Sequence, residues 1–117
     1  MNISINVDHQ LLVDLLVTAV EGGSNYWADF IYPHPRGSNS DKIRLIEDEP
    51  SNESGVCFDR EVSADDLLVG LQRLAESDLS NFPAAHAHLL DVLSDNYDAD
   101  TADVVLQMTV FGELVYG

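Results

Sequence analysis

Carboxylates are the chemistry this chain holds most of, with 21 Asp and Glu against 5 Lys and Arg and a net charge of −16. Paired carboxyl groups can do acid–base work, and oxygen ligands in a short loop can hold a hard cation. Asn96-Tyr97-Asp98-Ala99-Asp100-Thr101 sets oxygen side chains at alternate positions. A calcium loop also needs Gly at its sixth position and Glu at its twelfth. Those places hold Thr101 and Gln107, so the run reads as a helix entrance. A chain this acidic holds many chance carboxylate pairs, and nothing in the spacing marks one as buried with a raised pKa.

Other reactive side chains are sparse. His86 and His88 sit on alternate residues, which on a helix points them about 200° apart and away from a shared metal. His9 and His34 have no Cys or His close in sequence, so no zinc site is expected. Cys57 is the single cysteine. It cannot form an internal disulfide, which suits a reducing compartment. Within Gly55-Val56-Cys57-Phe58 it reads as a buried structural thiol. Gly22-Gly23-Ser24-Asn25 resembles a phosphate-cradling loop in composition, but such a loop follows a strand and opens a helix. The order here is the reverse, and Ser24 lacks the strand–turn–helix setting of a nucleophile elbow. With no triad signature, P-loop or dinucleotide fingerprint, the expectation is a protein that is not an enzyme and holds no cofactor and no metal.

The elements that carry these residues follow from periodicity. Asp8 caps a helix over residues 8–21 that is apolar around most of its circumference, with Asp14, Thr18 and Glu21 as a narrow polar stripe. Gly22 or Gly23 is expected to end it in the left-handed conformation. Ile3, Ile5 and Val7 alternate in a lead-in of strand type or irregular. Residues 26–32, 42–48 and 56–62 read as strands, the last two as an antiparallel hairpin across which Arg44 and Arg60 pair with acids. Residues 34–41 form a loop. Ser63-Ala64-Asp65-Asp66 opens a helix with an acid at the capping-box position, burying Leu67, Leu68, Leu71, Leu74 and Ala75. Residues 83–94 form another, burying Ala85, Leu89, Val92 and Leu93, with His88, Asp91 and Asp95 outside. Asp100 or Thr101 caps a last, broadly apolar helix to residue 111, with Asp100, Asp103 and Gln107 as its polar stripe. The sum is a single acidic α+β domain over residues 1–117: a small three-stranded antiparallel sheet packed against about four helices.

Two segments carry a resemblance. Glu21-Gly22-Gly23-Ser24-Asn25-Tyr26-Trp27, taken with Ala102-Asp103, Gln107 and Phe111-Gly112-Glu113-Leu114-Val115-Tyr116-Gly117, resembles a family of small phage and prophage proteins. The resemblance implies a mobile-element origin and expression in the cytoplasm of a host bacterial cell. It brings no activity and no functional residues with it.

No run approaches the roughly 18 apolar residues of a membrane span. Met1-Asn2-Ile3-Ser4 has no basic region and does not read as a signal peptide. Charge is uneven: residues 63–117 hold ten acids and one base, and after Arg73 there is no Lys or Arg. Tyr26, Trp27, Phe30 and Tyr32 could stack on bases, but phosphates require positive charge. Direct nucleic-acid binding is therefore disfavoured, and core packing is expected of these rings. A rigid protein with carboxylates spaced like phosphates can instead occupy a groove built for DNA. That predicts an acidic inhibitor of a host DNA-binding defence complex, of anti-CRISPR or anti-restriction type. Asp91, Asp95, Asp98, Asp100 and Asp103 are its first partner-binding group and Asp65, Asp66, Glu76 and Asp78 its second. The alternatives are a non-catalytic adaptor that binds a host protein through an apolar patch, or acidity that serves solubility or strong salt. The oligomeric state stays open between monomer and dimer.

Overall fold

The computed structural model describes residues 7–31, 41–51 and 53–117. Helix α1, His9–Thr18, runs straight into a π-helical turn, Ala19–Gly23. Strands β1 (Ala28–Ile31), β2 (Lys42–Glu47) and β3 (Asp59–Ser63) follow, then α2 (Leu67–Ala75), α3 (Ala85–Leu93) and α4 (Ala99–Val110). The fold is α+β, an antiparallel sheet in the order β1-β2-β3 with four α-helices. The lead-in over residues 2–6, Tyr32 and the loop up to residue 40 lie outside the described residues.

Asp8 caps α1 as expected, accepting the Gln10 N–H at 3.1 Å. Leu12, Leu15 and Leu16 are fully buried, each worth roughly 1.5–3 kcal/mol of transfer free energy. The expected left-handed ending does not occur, since neither Gly22 nor Gly23 has positive φ. The helix widens instead, and the Ser24 N–H donates to the Ala19 carbonyl at 2.8 Å. Glycine is required at residue 23 for proximity: a Cβ there would lie 2.5 Å from the Ala99 carbonyl oxygen.

The sheet's inner face carries Ala28, Ile43, Leu45 and Val62, all fully buried, with Ile43 opposite Val62. Alternate residues Lys42 and Arg44 point outward. There Arg44 meets Asp59 through two hydrogen bonds of 3.0 and 2.7 Å, and Lys42 reaches Glu61 at 3.3 Å. Arg60 does not pair across the hairpin but reaches forward to Asp66 at 3.5 Å. The expected capping box forms: the Ser63 N–H donates to Asp66, and the Asp66 N–H donates to Ser63 Oγ.

Helix α2 buries Leu67, Leu71 and Leu74. Its Gly70 faces α4 so closely that a Cβ would lie 2.3 Å from Thr109 Oγ1 and 2.5 Å from the Val105 carbonyl oxygen. Arg73 turns a guanidinium nitrogen onto the Met108 and Thr109 carbonyls, at 2.6 and 3.0 Å, in the turn where a helix leaves carbonyls open. Helix α3 buries Ala85 and Val92 and half-buries Leu89, but Leu93 is exposed. Val92 takes the inward position, and the next residue lies about 100° further round. Helix α4 is capped by Asp98, not by Asp100 or Thr101: the Asp98 carboxylate accepts the Thr101 N–H at 2.9 Å. Contacts from α1, its π turn, α2 and α3 enclose α4 on most sides. Its expected polar stripe is therefore split: Asp100 faces water, but Asp103 and Gln107 are buried, as are Thr101 and Thr109.

Candidate functional site

The most connected polar site is built on α4. Asp103, only 7% exposed, accepts four hydrogen bonds. Ser24 Oγ and Trp27 Nε1 donate to one oxygen at 2.8 Å each, and Tyr26 Oη and Gln107 Nε2 donate to the other at 2.6 and 3.1 Å. Gln107, one helical turn on, accepts the Val115 and Tyr116 N–H groups at 2.9 and 2.8 Å and donates to the Tyr116 carbonyl at 3.2 Å. The Tyr116 ring stacks on Trp27, with centroids 5.1 Å apart and planes 11° from parallel. Its hydroxyl donates to Glu47, a carboxylate 1% exposed at the end of β2 that also accepts the Phe58 N–H at 3.0 Å. The segments around residues 21–27 and 102–117 are thus two halves of one seam. No buried side-chain nitrogen or oxygen among the described residues is left without a partner, as a buried network requires.

The seam's protons are fixed. Burial, then the Asp103 carboxylate, raises the Tyr26 hydroxyl well above its ordinary value. Burial and the bond to Glu47 push Tyr116 up to about 12. Burial alone would raise Glu47, but hydrogen bonds from Ser51, Tyr116 and Phe58 outweigh it and leave the carboxyl below its usual range. Both tyrosines remain donors and Glu47 an ionised acceptor at neutral pH. Neither tyrosine is poised to exchange a proton there.

Two clefts flank the Tyr26–Tyr116 pair. One, of about 340 Å³, is lined by Asp100, Val104, Gln107 and Leu114 beside the two tyrosines. The other, of about 270 Å³, is lined by Trp27, Asp48 and Glu49 beside them.

The nine acids singled out from sequence divide sharply. Asp103 is removed from the surface set by its burial under four donors. Asp66 is half-buried and tied to Ser63 and Arg60, and exposed Asp65 bonds His9 at 2.9 Å. Glu76, Asp78, Asp95, Asp98 and Asp100 are exposed and Asp91 is half-exposed. Several of these are held in place locally: Gln72 bonds Glu76 at 2.7 Å, Ser80 bonds Asp78 through N–H and hydroxyl, and Thr101 fixes Asp98. The Ser80 bonds hold the Asp78 carboxyl below its ordinary value, and the Thr101 N–H does the same for Asp98. Among the described residues no acid after Asp66 pairs with a Lys or Arg, whereas Asp59, Glu61 and Asp66 do, and Asp41 and Asp65 lie beside His9.

Other expectations resolve as follows. Trp27 is buried and Phe30 half-buried, as core packing requires, but Tyr26 is 57% exposed, with only its hydroxyl drawn inward. His88 is half-buried, its Nδ1 2.9 Å from Thr101 Oγ1. Cys57 is a free thiol and half-exposed rather than buried. No group of His, Cys, Asp or Glu among the described residues is placed to hold a metal, and none of their helices is long and apolar enough to cross a membrane. Sequence reasoning missed Ser24, Glu47, Gln107 and Tyr116. The one local trace was Asp103 and Gln107 at i, i+4 on a broadly apolar helix, a spacing that together with Asp100 reads equally as a solvent stripe. No protein-family model matches the chain, and no curated protein or solved structure matches it either.

Proposed function

We propose that this protein is a phage-encoded, non-catalytic acidic inhibitor that occupies the basic, nucleic-acid-binding groove of a host defence complex. The observation that carries the reading is the set of uncompensated carboxylates on the helical half. Glu76, Asp78, Asp91, Asp95, Asp98, Asp100 and Glu113 stand on or beside helices, and the one base in residues 63–117, Arg73, is turned onto the end of α4. Local hydrogen bonds hold several of these carboxylates in fixed positions, so they meet a cationic surface without first being ordered. The molecule measures 37 × 37 × 23 Å, and a duplex of that length carries about 22 phosphate charges. The seven carboxylates named are about a third of that number, presented on one half of the molecule. Attraction of this kind also speeds encounter with a basic groove.

The test is capture from host lysate at low salt, followed by challenge with duplex DNA and then with high salt. A DNA-binding partner displaced by either treatment supports the reading. A partner retained through both sinks it.

A second reading has its own observation. On α3, Leu90 is 65% and Leu93 46% exposed, in line with exposed Ala87, which is an apolar helix face of the kind an adaptor presents. Under that reading Leu90→Asp abolishes a salt-resistant interaction that Asp91→Asn leaves intact.

A further inference from the structure

The cleft lined by Tyr26, Trp27, Asp48, Glu49 and Tyr116 combines two features that the seam does not need. The first is a preset aromatic wall. Tyr116 lies flat against Trp27, and Tyr26 stands nearly perpendicular to Tyr116, at 88° with centroids 6.5 Å apart. Both tyrosine hydroxyls are tethered, to Asp103 and Glu47, so the rings cannot fold into the space. The second is unbalanced charge. Asp48 and Glu49 are exposed, and no ion pair among the described residues includes either. Burial raises the Asp48 carboxyl, and the charges of Asp29 and Glu49 raise it further.

Ring faces carry negative potential and draw cations, the more so beside carboxylates and where water is partly excluded. We propose that this notch binds an organic cation, a guanidinium or alkylammonium group seated against the tyrosine rings with its charge between Asp48 and Glu49. A bare metal ion is poorly served there, because no group of three or more His, Cys, Asp or Glu among the described residues is placed to hold one. An anion is repelled. At about 270 Å³ the space suits one side-chain-sized group rather than a drug-sized ligand. The cation comes either from an Arg or Lys side chain of a protein or from a free quaternary ammonium compound. The inference does not depend on the groove reading, since a small cation alone tests it.

Trp27 is the only tryptophan, so its fluorescence reports the notch, and amide NMR shifts of Asp48 and Glu49 give an independent readout. The full chain is titrated with N-acetyl-argininamide, with tetramethylammonium, and with neutral N-acetyl-citrullinamide. At least one cation is expected to saturate with a millimolar dissociation constant, and the neutral analogue to bind at least about tenfold more weakly. Asp48→Asn with Glu49→Gln should weaken the cation at least about fivefold, whereas Asp91→Asn with Asp95→Asn, an equal loss of charge elsewhere, should change it less than about twofold. Tighter binding of argininamide assigns the site to a protein side chain, and tighter binding of tetramethylammonium assigns it to a small quaternary ammonium. Absence of saturation, equal binding of the neutral analogue, or equal effects of the two double variants overturns the proposal. None of these outcomes alters the duplex-competition result, so the two readings fail separately.

Discussion

The seam around Asp103 and the outer helical surface carry the same residue type to opposite ends. Asp103 and Asp100 sit one turn apart on α4, yet one is enclosed by four neutral donors and the other is in water. In the seam a negative charge is stabilised by hydrogen bonds aimed at it, without any cation. On the outer helices the charge is left to solvent and salt, which costs little while the chain is alone. The difference teaches that one helix can carry an acid of each kind, divided by whether buried donors reach it. Carboxylates with buried donors hold the fold, and those on the outer helices are left to solvent.

The comparison breaks most easily at its centre. Asp103→Leu leaves the Ser24, Tyr26, Trp27 and Gln107 donors facing an apolar group, and should cost about 3–5 kcal/mol. Urea and thermal denaturation should show a fall in Tm of at least about 15 °C. A loss under about 1 kcal/mol would mean that the seam does not hold the molecule. Gln107→Ala comes next, at about 2–3 kcal/mol. It should also raise hydrogen exchange at the Val115 and Tyr116 amides, which Gln107 alone caps.

Smaller effects follow from the Glu47–Tyr116 pair. The folded Glu47 carboxyl lies below its unfolded value, so its contribution is present above about pH 4.3 and is lost as pH falls through the lower folded value. The folded Tyr116 hydroxyl is pushed up to about 12. Its contribution is whole below about pH 10 and is lost as pH rises from there toward the folded value. Stability measured against pH should fall on both limbs, with the alkaline limb owed to both tyrosines and the acid limb to Glu47. Tyr116→Phe should flatten the alkaline limb, leaving the share owed to Tyr26. The smallest effect belongs to the outer acids. Asp91→Asn, Asp95→Asn and Asp100→Asn should each shift stability by no more than about 0.5 kcal/mol. Combined, they should weaken capture of a basic partner steeply at low salt. That contrast of a small change in Tm with lost binding is what sharpens the division.

Much of the fold was legible because its elements are local. The Asp8 cap, the Ser63–Asp66 box and the alternation Ile43, Leu45 each act within a few residues. What was not legible depends on distance along the chain. Asp103 at i, i+4 from Gln107 gives the spacing of a solvent stripe, and its Ser24, Tyr26 and Trp27 donors come from 76 to 79 residues away. Leu93 was expected inside because an apolar residue beside Val92 fits a buried face, but α3 turns only Ala85 and Val92 fully inward. The two glycines read as a left-handed stop for the same reason. No local signal separates a glycine needed for handedness from one needed for closeness.

Gly23 and Gly70 press on α4 from separate elements, the first at Ala99 and the second at Val105 and Thr109. A helix pinned by main chain at both places has no room to roll about its own axis. An axle held in two such bearings keeps its polar edge at one bearing angle, so Asp103 and Gln107 cannot swing outward to trade their internal donors for an external ligand.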